Sequence, residues 1–150
     1  MMSKQLKIRI IEEMKKAMRA KNKERLGTIR LILSELKRIE VDERVELEDN
    51  RVLVILDKMV KQRRDSVEQY ENANRRDLAD IEINEIKVVQ EFLPEALSDS
   101  EILVIVLEAI KSTNASSMKD MGAVMSVIKP KIQGRADIGK VSKVIKDKLI

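Results

Sequence analysis

Two pairs of neighbouring carboxylates are the first groups in this sequence that could do chemistry. Glu12 with Glu13, and Glu82 with Glu85, could exchange protons as a general acid and a general base. Both pairs lie in stretches rich in Lys and Arg, with no cluster of metal ligands and no nucleophile beside them. We therefore interpret these carboxylates as members of solvated ion pairs.

A pair of serines is the second candidate for chemistry. Ser116 and Ser117 are adjacent, but Ser117 precedes Asp120 by three residues, which is the spacing of a helix capping box. The chain contains no His and no Cys, so the commonest general base, the usual zinc ligands and disulfide bonds are all excluded. No Gly-rich phosphate loop is present. We expect a protein without catalytic residues, metal or cofactor, and therefore not an enzyme.

Clusters of Lys and Arg point instead to a polyanionic partner. Residues 1–39 hold 12 Lys and Arg against 4 Asp and Glu, and residues 129–150 hold 7 against 2, whereas acidic residues predominate between them. The clusters comprise Lys15, Lys16, Arg19, Lys21, Lys23 and Arg25; Arg63 and Arg64; and Lys129, Lys131, Arg135, Lys140 and Lys143. Such clusters bind phosphates by releasing counterions. The alternative is a set of solvated helix faces that neutralise one another.

The last cluster surrounds the loop Gly134-Arg135-Ala136-Asp137. Gly134 can end one helix and Asp137 can begin the next. That explanation leaves out Arg135, which we expect to be exposed beside the amino end of the last helix. Free N–H groups and the helix dipole favour a phosphate at such a position.

The elements that position these residues are predicted to be helices. The chain has 43% apolar residues but only four Gly and two Pro, which is too little turn-forming material for a β-sandwich. Apolar residues recur every three to four positions in four longer stretches before Pro94 and three shorter ones after it. The expected fold is all-α, with an N-terminal bundle of about four helices at 1–94 and a three-helix C-terminal subdomain at 95–150.

Polar residues at the expected helix ends support these assignments. Ser3, Asn22 and Asp49 can begin the first three helices, and Ser98 with Glu101 and Ser117 with Asp120 form capping boxes. Pro94 should stop the fourth helix, and Pro130 should kink or end the sixth.

The sequence shows no sign of a membrane or a secretory pathway. No apolar run approaches the ~20 residues that span a bilayer, and the first residues lack the apolar stretch of a signal peptide. We therefore expect a cytoplasmic protein with no membrane partner.

Several stretches also resemble a known family: ERLGTIR (24–30), VKQRRDSVEQYENANRRDLAD (60–80), FLPEALSDSE (92–101), ASSMKDMGAVM (115–125) and GRAD (134–137). In this order they resemble the YqeY-like family of small bacterial proteins over essentially the whole chain. From about Leu97 the sequence is similar to the tail domain of the B subunit of glutamyl/aspartyl-tRNA amidotransferase. The resemblance implies tRNA binding through the C-terminal subdomain. It implies no transamidation, because the glutaminase subunit and the catalytic cradle of that enzyme are absent.

Matched position by position, the resemblance covers Ser116, Ser117, Met118, Met121, Gly122, Gly134, Arg135, Ala136 and Asp137. It implies that Met118 and Met121 pack inside and that Gly122 allows a neighbouring helix to approach closely. Two departures from the family pattern are Asn74-Arg75-Arg76, where a Gly-Arg turn is usual, and Gly139 in the first turn of the last helix. The expected tRNA-binding residues are Lys131, Gly134, Arg135, Lys140 and Lys143.

Two functions follow as expectations. The first is a tRNA-binding accessory protein that contacts folded tRNA and acts beside an aminoacyl-tRNA enzyme or an amidotransferase. The near absence of aromatic residues argues against a reader of single-stranded bases. The alternative is a protein–protein adaptor that docks an acidic partner through the basic helices of residues 1–39.

Overall fold

A computed structural model of the protein describes residues 3–149, and seven α-helices make up most of that range. In chain order they are α1 (Gln5–Arg19), α2 (Lys23–Glu43), α3 (Asp49–Asn72), α4 (Arg76–Gln90), α5 (Asp99–Thr113), α6 (Met121–Ile132) and α7 (Ile138–Leu149). A single 3₁₀ turn, Met118–Asp120, leads into α6. Residues 3–149 contain no β-strand, so the predicted all-α class is confirmed. Within the same range, no helix has the length and apolar character that crossing a membrane requires.

The chain divides into two compact units, one ending at Leu93 and the other beginning at Pro94. In the N-terminal unit α4 packs mainly along α3, and α1 packs mainly on α2. The core between them is aliphatic, apart from Phe92 at its edge, with buried side chains that include Ile10, Ile29, Ile32, Leu36, Val52, Leu56 and Val89. The guanidinium of Arg9 lies 5.3 Å from the centre of the Phe92 ring.

The C-terminal unit has a core of its own. Each of α5, α6 and α7 contacts the other two, so the three helices surround a single apolar interior. Its fully buried side chains include Val106, Val124, Ile128, Val141 and Ile145. Their spacing of three or four residues along each helix places them on one face, as the sequence pattern predicts.

Most predicted helix starts are confirmed. The side chain of Asn22 accepts a hydrogen bond from the Arg25 amide at 3.2 Å. Both bonds of the Ser98–Glu101 capping box are present, at 3.2 and 3.3 Å. Asn74, in the turn where the sequence departs from the family pattern that it resembles, takes a φ of 55°, a left-handed conformation that Asn tolerates better than most residues.

Ser3 does not cap α1 as predicted, because another helix supplies the cap. The Ser3 hydroxyl lies 3.5 Å from the Gln5 amide nitrogen, which is too long for a good hydrogen bond. Instead, the Leu6 amide donates to the carboxylate of Asp49 at 2.8 Å. The Asp49 amide in turn donates to the Ser3 carbonyl at 2.7 Å. The first residue of α3 therefore satisfies the start of α1.

Candidate nucleic-acid interface

Gly134 shapes the turn between α6 and α7. Gln133 has φ −55° and ψ 119°, and Gly134 has φ 74°. The Arg135 amide donates to the Ile132 carbonyl at 2.8 Å, which closes a type II turn. The third position of this turn requires a positive φ, so the predicted helix-ending role of Gly134 is confirmed. Gly134 is also buried.

Arg135 is half-buried, so the prediction that it is exposed was wrong. Its Nε donates to the Glu95 carbonyl at 3.3 Å, and its own carbonyl accepts from the Leu97 amide at 2.8 Å. The segment that leads into α5 therefore packs on the turn and uses both the side chain and the main chain of Arg135. Arg135 therefore has a structural role, because it connects the segment before α5 to the turn between α6 and α7.

Asp137 begins α7, as predicted. The Val141 amide donates to its carbonyl at 3.0 Å, and the Gly139 amide donates to its Oδ1 at 3.0 Å. The carboxylate thus occupies the amino end of the helix, where we expected open N–H groups to favour a phosphate. This carboxylate competes with a phosphate for the amino end of the helix, and phosphate binding at that position stays a prediction.

The lysines of the predicted site differ in their partners. Lys140 Nζ lies 3.2 Å from Asp99 Oδ1 in an exposed ion pair. Lys131 and Lys143 are exposed and form no ion pair with any residue of the range 3–149. Five further exposed lysines of this unit share this property, and two of them are Lys129 at the end of α6 and Lys146 on α7.

These four residues, Lys129, Lys131, Lys143 and Lys146, form the feature that we call the lysine patch. Helical spacing places Lys143 on the side of α7 opposite the buried Val141 and Ile145, and Lys146 on the flank between that side and the buried face. Lys129 and Lys131 lie in the last turn of α6, which the turn at 133–137 connects to α7. The C-terminal unit as a whole is close to neutral, because residues 94–150 hold nine Lys and Arg against seven Asp and Glu, so its positive charge is concentrated near these lysines. Lys146 was absent from the predicted site, although its spacing of three from Lys143 could have identified it.

Gly122 and Met118 do not have the roles that the resemblance implies. Gly122 is exposed, and no heavy atom lies within 4 Å of where a Cβ would stand, so no helix approaches it. Met118 is 46% exposed, not packed inside. Met121 does pack against the C-terminal core.

The serines and most of the paired carboxylates have the structural roles that we assigned. The amides of Ser116 and Ser117 donate to Asp120 Oδ2 at 2.9 and 3.3 Å, which forms the predicted capping arrangement. Glu85 pairs with Arg63 at 2.9 Å. Glu12 and Glu13 likewise pair with Lys15 and Lys16, at 3.6 and 3.3 Å respectively.

Glu82 is the exception among the carboxylates. It forms no ion pair with residues 3–149, and burial raises its pKa, with a further contribution from the charge of Glu85. Arg63 opposes this shift in part. In the described part of the chain, no three carboxylates are grouped closely enough to hold a metal ion.

The first basic cluster is partly neutralised. Besides the pairs of Lys15 and Lys16, Arg25 bridges Glu13, at 3.2 Å, and Glu91. Arg19, Lys21 and Lys23 are exposed near the turn between α1 and α2 and form no ion pair within residues 3–149.

Comparison with known proteins identifies the family of this helical chain and several similar proteins. The family model for Yqey-like protein matches residues 7–149. The chain belongs to the YqeY-like protein family. It is similar to altered inheritance of mitochondria protein 41, mitochondrial, of Clavispora lusitaniae, with 39% identity over 77% of this chain and 69% of that protein.

Proteins of the same name from two other fungi also match the YqeY-like chain. The one from Pyrenophora tritici-repentis is 34% identical over 93% of this chain and 78% of its own length. The one from Lachancea thermotolerans is 32% identical over 73% of this chain and 62% of its own length. All three are named as mitochondrial, so the expectation of a cytoplasmic protein was wrong. That expectation rested on the lack of a secretory signal, which does not distinguish between compartments inside the cell.

Proposed function

We propose that this YqeY-like chain is a tRNA-binding accessory protein that contacts the phosphate backbone of folded tRNA through the lysine patch. The observation that carries the proposal is the presence of four exposed lysines without a carboxylate partner at the end of α6 and on α7. Each ammonium group that meets a phosphate releases a condensed counterion, which gives affinity independent of base sequence.

The composition of the C-terminal unit supports contact with folded RNA rather than with unstacked bases. Residues 94–150 contain no Phe, Tyr or Trp, so this unit offers no aromatic side chain on which a base could stack. Recognition therefore depends on the shape and charge of the RNA backbone. As part of the proposal, the protein performs no chemistry of its own and acts beside an aminoacyl-tRNA enzyme or an amidotransferase. The names of its relatives extend the proposal to a mitochondrial setting.

The test is a titration of purified tRNA by fluorescence anisotropy at two salt concentrations. The variant Lys131→Ala/Lys143→Ala/Lys146→Ala removes three charges of the lysine patch. The control Lys58→Ala/Arg64→Ala/Lys87→Ala removes three exposed charges elsewhere, none of which has an ion-pair partner in the described range.

If the lysine patch binds tRNA, its variant should lose affinity, and the slope of log K against log salt should become shallower by about 2–3. The control should match the wild type. Equal binding by the patch variant and the control would show that tRNA does not use the lysine patch. Failure of the wild type to bind at physiological salt would remove the proposed function altogether.

The adaptor function has one specific observation in its favour. Arg19, Lys21 and Lys23 project near the turn between α1 and α2 with no carboxylate partner among residues 3–149, and an acidic protein surface could neutralise them. An adaptor would depend on these residues and would be indifferent to the three lysines removed in the patch variant.

A further inference from the structure

The solvent face of α2 carries a row of three cations. Lys23, Arg30 and Lys37 follow one another at intervals of seven residues, and all three are exposed. Seven residues are almost two helical turns, so the cations share one face and are about 10.5 Å apart along the axis. We call this set the α2 row. It extends for about 21 Å.

The cations of the α2 row have no ion-pair partner, unlike several neighbouring cations of the same unit. On the same helix Arg38 pairs with Glu35 at 2.6 Å and with Asp42 at 3.2 Å, and elsewhere Lys7 pairs with Glu40 at 2.6 Å. The members of the row form no ion pair with any residue between 3 and 149, although the charge of Lys37 contributes to lowering the pKa of Glu40 on the same helix. Gly27 and Ser34 lie between the cations of the row on the same face, where no carboxylate intervenes. Leu26 and Leu33 flank the row and pack partly against the core.

Nothing inside the N-terminal unit requires glycine at position 27. It lies within α2, where glycine destabilises a helix relative to alanine. No heavy atom lies within 4 Å of where its Cβ would stand, and the positive φ that would require glycine is absent. A missing side chain between two cations leaves room for the backbone of a partner to approach the helix closely.

We propose that the α2 row is a second surface for the phosphate backbone of double-helical RNA, separate from the lysine patch. Protein interfaces usually have an apolar centre from which charged residues are depleted, whereas three cations line this face, with the exposed apolar Val41 only beyond its end. A polyphosphate carries continuous charge along its length, so it can meet all three cations at once. The proposal does not depend on tRNA binding by the C-terminal unit.

The experiment uses the full chain and an RNA duplex of about 20 base pairs, titrated by anisotropy at two salt concentrations. The variant is Lys23→Ala/Arg30→Ala/Lys37→Ala, and the control is again Lys58→Ala/Arg64→Ala/Lys87→Ala. The row variant should lose about tenfold or more in affinity, and its salt slope should become shallower by about 2–3. Helical circular dichroism should show that both variants remain folded.

A second variant tests whether the RNA backbone must approach α2 closely, without changing the charge of the α2 row. Gly27→Leu adds bulk at the centre of the row without changing the charge, and leucine is a better helix former than glycine. We expect its melting temperature to equal or exceed that of the wild type while its affinity for the duplex falls several-fold. The control Gln62→Leu places a leucine at an exposed site of α3 and should bind as the wild type does.

The results that overturn the proposal are distinct from those that overturn the lysine patch. If the row variant binds the duplex as the control does, or if the wild type does not bind it, the α2 row is not an RNA surface. If polyglutamate displaces the duplex as effectively as unlabelled RNA does, the row serves an acidic protein instead. If the row variant loses affinity for the duplex while the lysine-patch variant keeps the wild-type affinity for tRNA, the row is supported and the C-terminal function fails.

Discussion

Replacing Gly134 by alanine tests the reasoning about the turn between α6 and α7. The φ of 74° lies in the left-handed region, where a Cβ costs about 1–2 kcal/mol. Because Gly134 is buried, the added methyl group must also be accommodated among its neighbours. We therefore expect Gly134→Ala to lower the free energy of unfolding by at least about 1–2 kcal/mol.

Gly27→Ala is the matched control, because the same substitution should have the opposite sign there. Gly27 has no positive φ and open space where the methyl group would lie. Alanine restricts the unfolded chain and is the better helix former, so we expect a gain of roughly 0.5–1 kcal/mol. The two alanine variants should therefore differ by about 1.5–3 kcal/mol.

Urea unfolding followed by helical circular dichroism measures both effects, since the chain has no Trp to serve as a fluorescent probe. With slopes of about 1–3 kcal/mol per molar urea, a loss of 1–2 kcal/mol lowers the midpoint by roughly 0.3–2 M. Amide hydrogen exchange would assign each change to its own unit. Wild-type stability for Gly134→Ala would refute the turn argument, and a loss for Gly27→Ala would show that this glycine has a role inside the fold.

Three further predictions concern single side chains. Ser98→Ala removes the capping box of α5 and should cost about 1 kcal/mol in urea unfolding, and an unchanged midpoint would contradict this. Asp137→Asn keeps a capping side chain but removes a carboxylate near the lysine patch, so tRNA should bind several-fold more tightly, and equal affinity would argue against binding there. Burial and the charge of Glu85 raise the pKa of Glu82 above its ordinary value of 4.5. The native state therefore binds this proton more strongly than the unfolded chain does, and the free energy of unfolding falls as the pH rises from 4.5 through the raised pKa. Glu82→Gln should therefore be more stable than the wild type at pH 7 and lose that advantage near pH 4, as urea midpoints at the two pH values would show.

The helix starts that could be predicted from sequence are those made by local hydrogen bonds. Asn22, Ser98 and Ser117 each bond with a residue three positions further along the chain, so the sequence pattern contains both partners. The all-α class and the periodicity of the cores follow from the same short-range regularity. These features could be inferred before any tertiary contact was known.

Several hydrogen bonds and ion pairs that the sequence did not predict involve partners distant in sequence. Arg135 is bonded to the Glu95 carbonyl 40 residues away, and the Leu6 amide to Asp49 43 residues away. Lys140 resembles its neighbouring lysines in sequence but pairs with Asp99. The positions of the cations were therefore predictable, but which of them lack a counterion depends on tertiary packing.

The bond between the Leu6 amide and Asp49 also has a kinetic consequence. The first amides of a helix ordinarily exchange their hydrogens readily, since no carbonyl inside the helix accepts from them. Here the acceptor belongs to α3, so this amide becomes protected only after a loop of more than forty residues has closed. Its protection during refolding would therefore report the docking of α3 onto the start of the chain, separately from the winding of α1 itself.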